Sequence, residues 1–137
     1  KLIYAFNVIN ALKNQDTFSV DIQSKGKSFH YDDAYFVTTT NHPYFGGGIP
    51  ILPEANIYSR KLDTVVVEKP NLRKFIKLFL HLFKDGSHIN DPQFHYVEAE
   101  KIHVKTQRPE FAQVDGEVIP KRPFGVNFAV KHFNLLI

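Results

Sequence analysis

Short runs of β-branched and aromatic residues, alternating with polar ones and closed by turn signals, fill most of this chain and leave it few folds to choose from. Phe18, Val20 and Ile22 alternate with Ser19, Asp21 and Gln23, the period of a half-buried strand. Ser24-Lys25-Gly26-Lys27 turns the chain into a second short strand at residues 28 to 31. Asp32-Asp33 reads as a further turn, after which residues 34 to 40 resume the β-type composition. Thr64-Val65-Val66-Val67 has the continuous apolar character of a strand buried on both faces. Residues 94 to 97, 102 to 105, 111 to 114, 117 to 119 and 126 to 131 bring the count to about nine strands. The pattern predicts a mainly β chain, an antiparallel β-sandwich carrying two helices. At 137 residues it fits one domain, residues 1 to 137, with a substantial core.

The first helix is expected over residues 2 to 13, where Leu2, Ile3, Phe6, Ile9 and Leu12 recur near helical spacing. The second follows Asn71, placed as an N-cap, and stops near Lys84 with Gly86 as the residue past its end. Leu72, Phe75, Ile76, Phe79, Leu80 and Phe83 form its apolar stripe. Arg73, Lys77 and Lys84 fall on the opposite side, either an ordinary solvated face or a contact for anionic lipid headgroups. Between the strands, Asn41-His42-Pro43-Tyr44-Phe45-Gly46-Gly47-Gly48 breaks the pattern. Three glycines allow positive φ and close backbone approach, but neither a strand-Gly-x-Gly-x-x-Gly-helix context nor Gly-Lys-Ser/Thr accompanies them, so a tight bend outweighs a phosphate cradle. His88, alone in a turn-rich loop, reads as a turn hydrogen-bonder rather than a catalyst.

Composition narrows the chemistry. There is no cysteine, which excludes disulfides, thiolate catalysis and cysteine zinc sites and favours a cytosolic setting. The seven histidines form no His-x-x-x-His or His-Glu-x-x-His pair, so no metal site is assigned. The formal net charge of +3 is too weak to argue for nucleic acid as a partner. No apolar run is long enough to span a bilayer.

The stretch with most chemical content is Ala112-Gln113-Val114-Asp115-Gly116-Glu117-Val118-Ile119. If Asp115 to Glu117 were extended, both carboxylates would share a face and could divide roles, one as base and one orienting a proton or a metal. Asp-Gly between apolar runs is equally a strong hairpin signal.

Five motifs stand in order: Asn41 with Phe45-Gly46-Gly47-Gly48-Ile49; Pro53-Glu54-Ala55; Lys61-Leu62-Asp63 running into Val65-Val66-Val67; Gly86-x-His88; and Gln113-Val114-Asp115-Gly116-Glu117. Together they resemble the C-terminal domain of the bacterial diacylglycerol-kinase-like lipid kinases, the soluble BmrU-like group. The resemblance implies a two-domain plan shared in outline with NAD kinases. An N-terminal domain carries a Gly-Gly-Asp-Gly-Thr nucleotide loop, and a C-terminal β-sandwich closes over the cleft. No such loop occurs here, and the chain opens at Lys1 within a helix-like pattern without a methionine anywhere, so the second domain alone is expected. The resemblance implies ATP and Mg2+ as cofactors of the whole enzyme, none expected on this piece. It implies a membrane lipid as acceptor, peripheral membrane association, Asp115 as catalytic base and Glu117 as its neighbour. Phe45, Gly46, Gly47 and Gly48 are placed at the substrate cleft. Readings from other classes are a non-catalytic lipid-docking or scaffold module, and a relative phosphorylating a soluble hydroxyl.

One departure stands out. Where the family has Asp-Gly before its x-Leu-Asp segment, and uses that aspartate to hold a structural magnesium, this chain has Ser59-Arg60. A hydroxyl and a guanidinium are poor company for an ion that wants hard anionic oxygen in an octahedron, so no magnesium is expected at residues 56 to 63.

Overall fold

The computed structural model describes residues 14 to 45 and 48 to 131. The helix expected over residues 2 to 13 lies outside them, as do Gly46 and Gly47. Eight antiparallel strands are described: β1 (Phe18–Ser24), β2 (Lys27–Thr40), β3 (Leu62–Glu68), β4 (Phe94–Ala99), β5 (Lys101–Thr106), β6 (Glu110–Val114), β7 (Glu117–Arg122) and β8 (Gly125–Ala129). Six of them form one sheet in the order β4-β3-β2-β1-β5-β8, and β6 and β7 pair separately. Helix α1 (Leu72–Lys84) and a single 3-10 turn (Ser87–Asn90) join β3 to β4.

The β1–β2 hairpin closes through Lys25 (φ 51) and Gly26 (φ 72), a two-residue turn whose positive φ values match the twist of the flanking strands. The second expected turn, Asp32-Asp33, is not one. β2 runs through it as a 14-residue strand. Its first half pairs with β1 up to Phe18↔Ala34 and its second half with β3 from Ala34↔Glu68 onward, and the register slips on both sides of this hand-over. The two aspartates therefore mark a bulge where the strand changes partners.

The alternation of β3 sorts the core onto two faces. Val66 joins Val20, Ile22, Ala34, Ala99 and Ile102 in one buried cluster. Val65 and Val67 face the other way, into a cluster with Ile51, Leu52, Ala55 and Leu82. This second face is covered by the irregular segment 49 to 55 and by α1. Asn71 caps the helix as expected, its Oδ1 accepting the Lys74 N–H at 2.9 Å. Gly86 (φ 71) ends it, its N–H donating back to the His81 carbonyl at 2.9 Å. The stripe assigned from sequence is not the buried one: Leu72, Ile76, Leu80 and Phe83 are exposed and Phe75 and Phe79 half-buried, while the residues that face the core are Leu78 and Leu82, outside that stripe.

Candidate functional site

Asp115 stands at the end of an arm. β5 and β8 pair as far as Lys105↔Gly125, and the two chains then leave the sheet together. Pro109 and Pro123 have no N–H to give the ladder, and here it is interrupted. Thr106 holds the junction: its N–H donates to the Phe124 carbonyl at 2.9 Å, and its buried hydroxyl accepts the Phe124 N–H at 3.2 Å and donates to the Arg108 carbonyl at 3.0 Å. Pairing resumes at Glu110↔Arg122 and runs to Val114↔Glu117.

The tip is a two-residue turn with Asp115 at φ 48 and Gly116 at φ 92. Positive φ at both positions is the hairpin geometry that Asp-Gly accepts most readily. Asp115 is therefore left-handed rather than extended, and the same-face pairing of its carboxylate with Glu117 does not arise from strand periodicity. Both side chains are exposed, and neither makes a hydrogen bond or ion pair among the described residues. The arm is apolar for a free hairpin, with Phe111 at 71% and Val118 at 72% exposure.

The glycine block closes differently. Phe45 and Ile49 exchange backbone hydrogen bonds, 2.8 Å one way and 3.0 Å the other, which brings the two ends of the glycine block together. Phe45 packs edge-on against Phe36, ring centroids 5.1 Å apart, at the margin of the second core cluster. Gly48 has φ 91 with open space where a Cβ would stand, so its backbone conformation rather than crowding requires glycine. Among the described residues no hydrogen bond or ion pair links this loop to the tip of the arm.

Three other motifs meet around segment 51 to 55. His88 is buried and its Nε2–H donates to the Ile51 carbonyl at 3.0 Å, with the ring edge-on to Phe94 at 5.3 Å. A Cβ added at Gly86 would come within 3.1 Å of Pro53. A cleft of about 190 Å³ runs along Leu52, Pro53, Glu54 and Ala55 to Tyr96. Behind it the Tyr96 hydroxyl donates to Oδ1 of the buried Asp63, whose Oδ2 has no partner among the described residues. Burial pushes the Asp63 carboxyl up and the Tyr96 hydrogen bond pulls it back. Burial and the Asp63 contact push the Tyr96 hydroxyl well above its ordinary value. The sequence holds no signal for this carboxyl–phenol pair, because it forms across the Val65↔Tyr96 and Asp63↔Glu98 registers.

Neither of two further polar groupings is a catalytic centre. Ser87 Oγ lies 2.8 Å from His81 Nδ1 and donates to Asp85 at 2.6 Å. Asp85 also meets His81 at Nδ1, so the ring cannot relay a proton from serine to carboxylate through its two nitrogens. The Ser87 hydroxyl and N–H hold the Asp85 carboxyl down at about 2. This is a cap on the end of α1.

The loop at 56 to 63 does not suit magnesium. The Ser59 hydroxyl is engaged with its own turn, accepting the Lys61 N–H at 3.2 Å. Arg60 occupies the left-handed position (φ 60) where the resembling family has glycine. The Lys61 ammonium pairs with Glu98 at 2.8 Å. At the place of the family's carboxylate the chain offers a neutral oxygen flanked by two cations, and the one carboxylate of residues 56 to 63, Asp63, is buried with an oxygen engaged by Tyr96. Among the described residues no group of three acidic or imidazole side chains could hold a metal.

The sheet order and the Asp-Gly-tipped arm define a mainly antiparallel, β-sandwich-like domain. The chain belongs to the family described as the YegS C-terminal NAD kinase beta sandwich-like domain, whose model matches residues 1 to 137. It is similar to YtlR of Bacillus subtilis (strain 168), whose lipid-kinase name is provisional, at 28% identity over 90% of this chain and 40% of that protein. It is also similar to the diacylglycerol kinase of Bacillus subtilis (strain 168), at 26% identity over 85% of this chain and 38% of that protein. A solved structure from Bacillus anthracis strain Sterne, provisionally named a diacylglycerol kinase, superposes with a TM-score of 0.68 at 27% identity. That match covers 90% of this chain and 41% of the other. The chain thus spans about two fifths of the proteins it matches. Its relatives bear kinase names, and no helix among the described residues is long and apolar enough to cross a membrane.

Proposed function

We propose that this chain is the catalytic-base and lipid-substrate domain of an ATP-dependent kinase acting on the hydroxyl of diacylglycerol or a related membrane lipid. The observation that carries the reading is the placement of Asp115. Its carboxylate is open and has no partner among the described residues, on a left-handed tip at the end of an arm, where a second domain can meet it. A lipid hydroxyl is a weak nucleophile at neutral pH. Asp115 accepts its proton as the oxygen attacks the γ-phosphorus, the bond to the β,γ-bridging oxygen breaks, and ADP leaves. Glu117, first residue of the returning strand, orients the tip. Phe45 and Gly48, and with them Gly46 and Gly47, are assigned to the border of the substrate cleft.

ATP and magnesium enter on a nucleotide-binding domain that precedes this chain in the full protein, and no residue of the chain is assigned to either. The working location is the cytoplasmic face of a membrane, held peripherally. The Ser59-Arg60 loop favours a second reading, a sandwich retained as a scaffold without catalysis, but the Lys61–Glu98 pair still ties that loop to β4.

Phosphoryl transfer depends on positioning of the phosphates, which this chain does not supply. Incubated with ATP, magnesium and mixed lipids, the 137-residue chain should leave the lipids unlabelled, whereas the full-length protein should label them. Labelling by the chain alone would overturn the two-domain reading. No labelling by the full-length protein would favour the scaffold.

A further inference from the structure

The outer face of α1 is built for an anionic surface. At about 100° per residue, Leu72, Phe83, Ile76 and Leu80 fall within an arc of about 80°, and Arg73, Lys84 and Lys77 fill the next 60° or so, flanking the row rather than standing opposite it as expected from the sequence. The buried pair, Leu78 and Leu82, is centred about 140° from the middle of that exposed row, and the half-buried Phe75 and Phe79 lie between the two. The four residues are 48%, 55%, 48% and 63% exposed in the same order. Lys74 is engaged with Asp91 at 2.8 Å, but Arg73, Lys77 and Lys84 make no ion pair among the described residues. The helix itself contains no carboxylate.

We infer that α1 docks the protein onto an anionic lipid surface, the exposed leucines, isoleucine and phenylalanine entering the headgroup–acyl boundary while Arg73, Lys77 and Lys84 meet lipid phosphates. Charge selects this occupant over the others that could cover an apolar row. Residues 1 to 13 and 132 to 137 carry no aspartate or glutamate, and the first of these segments adds two lysines, so neither can neutralise the cationic row. A second copy packed α1 on α1 would set the same cations against each other. An anionic bilayer supplies both what the apolar row lacks and what the cations lack. The inference deepens the lipid-kinase reading by naming how the domain reaches its substrate's membrane.

The test is sedimentation of the 137-residue chain with vesicles of phosphatidylcholine alone and of phosphatidylcholine with phosphatidylglycerol, at about 0.1 M salt. Binding is expected only to the anionic vesicles, and it should weaken as salt rises. Each cation near such a surface contributes about fivefold, so the triple variant Arg73→Gln, Lys77→Gln, Lys84→Gln should bind weaker by on the order of a hundredfold. Ile76→Ser with Leu80→Ser should also abolish binding, with unchanged circular dichroism because both positions are exposed. No binding by the unaltered chain, or equal binding by both variants, would overturn the inference. So would a dimer that dissociates on Ile76→Ser with Leu80→Ser, since a second copy would then be the occupant. Vesicle binding without lipid labelling by the full-length protein would leave docking standing and remove the kinase reading.

Discussion

His88 shows how a single side chain ties distant stretches together and makes them sensitive to pH. Its Nε2–H is spent on the Ile51 carbonyl, and Nδ1 is buried without a partner among the described residues. A proton on Nδ1 would have nowhere to donate, so burial holds the ring below its ordinary 6.5. The unfolded chain then takes up a proton more readily than the folded one. The stabilisation is complete above about pH 6.5 and declines as pH falls below it. His30 works in the opposite sense. Hydrogen bonds from its ring to Asp21 at 2.6 Å and Asp32 at 3.0 Å raise its pKa, so its contribution is present below about pH 6.5 and fades as pH rises through the raised value. Urea denaturation across pH 5 to 8 should show His88→Gln flattening the acid limb and His30→Asn flattening the alkaline one. An acid limb unchanged in His88→Gln would contradict this account. The local chemistry of a lone histidine in a turn suggested a hydrogen bond but could not name its partner, 37 residues away.

Where an element is governed by its own ends, its sequence is readable. Asn71 and Gly86 bracket α1 as expected, and Lys25-Gly26 and Asp115-Gly116 close their hairpins through positive φ. Where an element depends on its neighbours, it is not. Asp32-Asp33 carries turn chemistry, yet β2 continues through it because β1 and β3 supply partners on successive halves. The apolar stripe of α1 has helical spacing, yet spacing alone does not reveal that only the side bearing Leu78 and Leu82 meets the core. Gly86 is required twice, by its φ of 71 and by Pro53 lying 3.1 Å from where a Cβ would stand. Gly86→Ala should cost about 1 to 2 kcal/mol and lower Tm by roughly 3 to 6 °C. An unchanged melting temperature would show that α1 and segment 51 to 55 are not locked together.

Across the whole molecule four of the five motifs separate into two kinds. Pro53-Glu54-Ala55, Lys61-Leu62-Asp63 and Gly86-x-His88 converge on segment 51 to 55 through Pro53, the Tyr96–Asp63 contact and the His88–Ile51 bond, so their residue types are accounted for by packing. Asp115 and Glu117 have no such account. They stand apart on an arm whose length and apolar sides exceed what a simple return between β5 and β8 needs. The alternation of residues 111 to 114 and 117 to 119 anticipated the hairpin but not its departure from the sheet, which arises where prolines interrupt the ladder and the register re-forms beyond them. The measurement that bears most directly on the proposed role is steady-state kinetics of Asp115→Asn in the full-length protein. The amide keeps the shape of the tip, and asparagine accepts the same positive φ, but it cannot take a proton. Turnover of lipid should fall by about 10² to 10⁴-fold while KM for ATP changes little. Near-normal turnover would contradict the account and leave Asp115 as a turn residue alone.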